Sequence, residues 1–169
     1  MSGEADLTGN DYVSLPEVRT DGALDGINVL HGALGGLVEW CGGAGEALLT
    51  PRVEVDGRPV DMANARWRRH DRWIPAFTVP LEDGGTLTGT VCAPAGYPAA
   101  RGFLVRFDVE SKARRPVAVT VSLDVAWHAT RLWIATPRPL PGTNRLEQAA
   151  TGTLVLETDA GRGPALAIA

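Results

Sequence analysis

The sequence predicts an all-β chain, an antiparallel β-sandwich of about ten or more short strands with little helix. Three observations lead there. Apolar and polar residues alternate with period two in several stretches, most clearly over 101–127. Glycine, Asp-Gly and proline punctuation divides the chain into short pieces. No segment keeps a helical period long enough to stand alone as a helix.

Taken in order, residues 1–20 read as a loose N-terminal arm with Tyr12, Val13, Leu15 and Val18 to dock it, and 21–169 as the sandwich domain. The region 21–45 carries turn signals at Asp21-Gly22, Asp25-Gly26, Gly35-Gly36 and Gly42-Gly43, a density that excludes a stable helix. Its strand is Gly36 to Cys41. Arg52-Val53-Glu54-Val55, then Asp56-Gly57, then Arg58-Pro59-Val60 reads as a tight hairpin, because Asp-Gly supplies the positive φ angles of a two-residue turn. If 65–74 is extended, Trp67, Arg69, Asp71 and Trp73 share one face, and Arg66, Arg68, His70, Arg72 and Ile74 the other. Asp83-Gly84-Gly85 turns the chain into a strand over Thr86–Ala93.

The stretch 101–127 then reads as two long strands joined by the polar turn Ser111–Pro116, and so as the centre of an antiparallel sheet. Phe103, Val105, Phe107 and Val109 line one face of the first strand, and Val117, Val119, Val121, Leu123, Val125 and Trp127 one face of the second. Arg131–Thr136 is a short strand carrying Trp133, Pro137–Gly142 a stiff polyproline-like connector, and Arg145–Ala150 the one short helical candidate. Residues 151–158 and 164–169 form a last strand pair. The apolar ending Ala-Leu-Ala-Ile-Ala suits a module with a neighbour directly after it, or a last strand paired at a sheet edge.

Composition bounds the partners. The chain has 169 residues and a formal net charge of −4, which argues against nucleic acid and against an anionic membrane surface. No apolar run approaches a membrane span and no leader pattern opens the chain, so the expectation is a soluble cytoplasmic protein or a piece of a longer one. Cys41 and Cys92 match no metal or redox spacing and read as reduced core residues, with a single bridge left open. Nucleotide loops, nucleophile elbows and zinc spacings do not occur, so no cofactor and no metal are expected.

A family resemblance enters on particular residues. Gly102-Phe103 opens an alternating strand ending in Val109-Glu110-Ser111; Arg115-Pro116-Val117 opens a valine-rich strand ending in Trp127. With Gly35–Trp40 and Pro51–Gly57 before them, these resemble the N-terminal super-sandwich of bacterial glycoside hydrolases and phosphorylases with an (α/α)6-barrel catalytic domain. The resemblance implies a non-catalytic module that packs on a helical catalytic domain and borders a sugar site. In that family the catalytic carboxylates lie on the barrel, so no catalytic residue carries over.

Four residues stand out for ligand or partner contact: Trp67, Arg69, Trp73 and Trp133. Indole faces stack on the C–H faces of sugars while Arg and Asp bind hydroxyls, which makes Trp67, Arg69, Asp71 and Trp73 a carbohydrate platform. The competing reading is that the tryptophans fill the core. Arg66, Arg68, Arg69 and Arg72 read as a solvated or partner-facing strand that also guards a sheet edge. His70 and Asp71, as strand neighbours, are expected on opposite faces. Ser122, Asp124 and His128 on one strand are too far apart for a triad. Asp108, Glu110, Arg106 and Arg131 are expected in cross-strand ion pairs, in preference to a metal site built from Asp108, Asp124 and His128. A small-ligand binder or cyclase-type enzyme with a pocket between the sheets is the alternative; a structural oligomerisation module, and hence a homo-oligomer, is the third reading.

Overall fold

A computed structural model describes residues 6–31, 36–71, 74–95, 102–124, 131–133, 137–139, 144–148, 154–158 and 165–168. Its strands are β1 (Asp6–Gly9), β2 (Val13–Val18), β3 (Gly26–His31), β4 (Gly36–Cys41), β5 (Leu49–Val55), β6 (Arg58–Pro59), β7 (Arg66–His70) and β8 (Ile74–Pro80). They continue as β9 (Thr86–Cys92), β10 (Leu104–Glu110), β11 (Val117–Leu123), β12 (Arg131–Trp133), β13 (Pro137–Pro139), β14 (Asn144–Gln148), β15 (Leu154–Thr158) and β16 (Ala165–Ile168). The helical residue among those described is one 3-10 turn, Met62–Asn64, whose cap Asp61 accepts from the Ala63 N–H at 3.0 Å. The fold is all-β and antiparallel, as the alternation predicts.

The strands hydrogen-bond in the orders β1-β2-β3-β4-β12-β13, β10-β9-β8-β7, β11-β5-β6 and β14-β15-β16. An isolated bridge, Leu24↔Leu49, links the first of these sheets to the third. Two core clusters hold the layers together. One joins Val13, Leu15, Ile27, Val38 and Trp40 of the six-stranded sheet to Val91 of the four-stranded sheet. The other joins Val53 of β5 to Phe77, Val79 and Leu87 of β8 and β9. Both draw on residues of two sheets.

An inner row of the four-stranded sheet explains its packing. Trp67, Phe77, Gly89 and Phe107 lie directly opposite one another across β7, β8, β9 and β10. Gly89 leaves a gap in that row, and the Phe77 ring lies over it: a Cβ there would sit 2.0 Å from Phe77 Cζ. Phe77 then meets Trp67 at a centroid distance of 4.9 Å and Phe107 edge-on at 6.3 Å. Glycine inside this strand is therefore a packing residue.

Several expectations hold. The strand at Gly36–Cys41, the strand over Thr86–Cys92 and the final pair β15–β16 form where the pattern places them. The Asp56-Gly57 hairpin has φ of 54° and 70° at the two turn residues, as a mirror-image turn demands.

Others are corrected. β10 and β11 do not pair: β10 pairs with β9 and β11 with β5, so the chain changes sheet at Ser111–Pro116 and both strands are edges among the described residues. Alternation specifies a strand, not its neighbour. Residues 6–18, expected as a loose arm, form β1 and β2 of the six-stranded sheet, with the expected docking residues Val13, Leu15 and Val18 buried. The 65–74 strand breaks at Asp71, with φ of 48°, into the β7–β8 hairpin. Arg145–Gln148 lies in strand β14, not a helix, because pairing with β15 outweighs a weak local preference. Pro137–Pro139 is strand β13, laid against β12 at the sheet edge, where the missing N–H of proline is tolerated.

Candidate functional site

The residues singled out from the sequence are dispersed. Trp67 and Arg69 sit two apart on β7, hence on one side of the four-stranded sheet. Trp133 belongs to β12 in the six-stranded sheet, opposite Leu37 and Pro137, and its side chain lies outside the described residues. Trp73 and Arg72 also lie outside them. Trp67 is half-buried, contacts both core clusters, and its indole N–H donates to the Thr20 carbonyl at 2.7 Å. Those are the contacts of a tryptophan that seals a core. Arg69 is exposed and engaged by a neighbouring group.

Other predicted constellations resolve similarly. The turn at Asp71 brings its carboxylate to 3.4 Å from His70 Nε2, both side chains being largely exposed, so the two do not diverge as strand neighbours would. Arg106 pairs with Asp108 along its own strand at 2.7 Å rather than across strands. His128 is outside the described residues. Neither Cys41 nor Cys92 forms a disulfide, and both are half-buried. Among the described residues no group of three or more His, Cys, Asp or Glu is placed to hold a metal ion.

Two features emerge that the sequence reading did not assemble. The first is a polar groove of about 490 Å³ between the β5–β6 turn, the 3-10 turn and the β8–β9 turn. Its charged lining is already engaged. Arg58 Nη1 donates to Glu82 Oε2 at 3.0 Å; Arg115 bridges Asp56 and Asp83, with Nε 3.2 Å from Asp83 Oδ2. The Ser111 hydroxyl donates to Asp83 Oδ2 at 2.8 Å and the Gly85 N–H to Oδ1 at 2.9 Å. These donors, Ser111 foremost, then Gly85, with the Arg115 charge beside them, hold the Asp83 carboxyl below the usual aspartate range against the opposing effect of desolvation. The Asp56 N–H donates to the Pro116 carbonyl at 3.0 Å. The cluster clamps three turns together where the chain crosses between sheets. Asp83-Gly84-Gly85 and Arg115-Pro116 are both recognisable as turns, but nothing local says that Ser111 meets a residue 28 positions earlier.

The second is a row of valines. Val117, Val119 and Val121 stand opposite Val55, Val53 and Pro51 on β5, so they point to the side where Val53 and Val55 are core. Val53 and Val55 are 1% and 9% exposed, yet Val117, Val119 and Val121 are 43%, 45% and 46% exposed. One strand spacing, about 4.8 Å, carries the row from core to surface. Beside it in the chain, Val105, Phe107 and Val109 of β10 are only half-buried. Edge strand β11 thus presents an open apolar seam after the chain's crossing from β10, with no catalytic constellation among the described residues near it.

The chain matches no family model, no curated protein and no solved structure.

Proposed function

We propose that this chain is a non-catalytic β-module of a glycoside hydrolase-like protein, which packs through its β10–β11 edge on a helical catalytic domain and contacts carbohydrate beside it. One observation carries the reading: the inward-facing row Val117, Val119, Val121 is nearly half exposed on an edge strand. Covering three half-exposed valines is worth about 2–4 kcal/mol, taking roughly 1.5–3 kcal/mol for a fully buried valine. That is enough to contribute an anchor to an interface. The resemblance to the super-sandwich supplies the kind of partner.

The test is calorimetric titration of the chain with the (α/α)6-barrel domain of a super-sandwich glycoside hydrolase whose own sandwich has been removed. Saturable binding that Val119→Asp abolishes supports the reading. Glycoside hydrolysis by the chain alone, or no binding by a folded sample, defeats it. Sedimentation of the chain alone belongs beside it, because self-association lost in Val119→Asp would make the seam a homotypic interface instead.

A further inference from the structure

The outer face of the four-stranded sheet has a chemistry that neither the core nor the seam uses. Cross-strand register fixes its rows. Arg66, Thr78, Thr88 and Asp108 stand opposite one another across the sheet; in the next row stand Arg68, Ala76, Thr90 and Arg106. Directly opposed residues share a side, and the intervening row, Trp67, Phe77, Gly89 and Phe107, faces the core. The outer side therefore offers half-buried threonine hydroxyls on the two middle strands, around the buried Ala76 and flanked by guanidinium groups.

The guanidiniums differ in their state. Arg106 is neutralised by Asp108 at 2.7 Å. Arg66 and Arg68 are exposed and make no ion pair among the described residues. Two residues apart on one strand, they are spaced about 7 Å along the edge. Unpaired guanidinium groups favour carboxylate or sulfate, which they grip through two parallel N–H donors. Threonine hydroxyls both donate and accept, as sugar hydroxyls require.

We infer that this face binds an acidic glycan, its carboxylate or sulfate groups on Arg66 and Arg68 and its hydroxyls along Thr78, Thr88 and Thr90. Single-stranded nucleic acid is the less fitting polyanion. It binds by stacking bases on large aromatic rings, and the described outer face carries no Phe, Tyr or Trp, only the His70 imidazole beside Asp71, while the Trp67, Phe77 and Phe107 row points inward. The net charge of −4 works against long-range attraction of any polyanion, so affinity has to come from this local patch. The inference rests on the carbohydrate-contacting part of the function proposed above and is independent of the valine seam, which lies on the other side of the fold's sheets.

Native gel electrophoresis through polygalacturonate, with poly-glutamate, single-stranded DNA and neutral dextran gels in parallel, tests it. The expected result is retardation in polygalacturonate alone, weakened at least tenfold in an Arg66→Ala/Arg68→Ala variant and largely kept in Val119→Asp. A Thr88→Val/Thr90→Val variant is expected to lose several-fold affinity for the glycan, with circular dichroism confirming its fold. Equal retardation by poly-glutamate or DNA would reduce the patch to unselective charge and overturn the inference, as would no retardation in polygalacturonate. Retardation by neutral dextran that survives Arg66→Ala/Arg68→Ala would keep the carbohydrate reading and sink this site.

Discussion

Replacing Gly89 by alanine probes the packing that holds the four-stranded sheet to the rest of the fold. The added Cβ would lie 2.0, 2.3 and 2.6 Å from Cζ, Cε1 and Cε2 of Phe77, where carbon atoms rest comfortably at about 3.5–4.0 Å. The ring must therefore retreat by about 1.5 Å. It has nowhere to go: Phe77 is fully buried, with Trp67 on one side and Phe107 on the other. Overpacking of this kind costs about 1–3 kcal/mol or more, against which alanine recovers about 0.5–1 kcal/mol of glycine's backbone entropy. The expected net loss is about 2 kcal/mol, a fall in melting temperature of about 4–8 °C for a chain of this size. Thermal unfolding by circular dichroism measures it. A Phe77→Leu background should absorb the methyl, so the double variant should be less destabilised than the sum of the singles by about 1 kcal/mol or more. A neutral Gly89→Ala, or strict additivity with Phe77→Leu, would refute the argument that the ring covers the glycine.

Two further outcomes follow from the same interactions. Asp83 is harder to protonate folded than unfolded, so its stabilising contribution is complete above the ordinary aspartate pKa of about 3.9 and is lost as pH falls through the lowered folded value. Urea midpoints measured down through this range should fall less steeply in Ser111→Ala, which removes the hydroxyl that acts most strongly on the carboxyl; parallel curves would contradict the assignment. Trp67→Phe removes the donor to Thr20 and part of the ring that both clusters touch, for an expected loss of about 1–2 kcal/mol in chemical denaturation, and wild-type stability would mean that the indole is not a core seal.

Much of the local structure is legible in the sequence. Asp56-Gly57 specifies a mirror-image turn because both positions need positive φ, and the flanking residues pair as expected. Leu87 and Val91 alternate with Thr86, Thr88 and Thr90, and the two apolar residues are fully buried. The all-β class follows from the same alternation. The site is less legible. Arg66 and Arg68 are evident as a basic cluster, but their position at the end of rows that also contain Thr78, Thr88 and Thr90 depends on register between three strands.

What the sequence by itself determines is therefore local: which segments extend, where the chain turns, which side of each strand is apolar. Dihedral preference and side-chain alternation act over a few residues, so a few residues reveal them. What only the tertiary structure decides is partnership. Val117–Leu123 leaves the strand before it and pairs with Leu49–Val55 in another sheet, and residues 6–18 exchange a loose arm for two paired strands. Arg145–Gln148 becomes a strand because Leu154–Thr158 lies beside it. Each of these is settled by hydrogen bonds and apolar burial between separate segments of the chain, not within one. The exposure of Val117, Val119 and Val121 is the consequence: their sequence asks for a core, and the sheet they join places them at its edge.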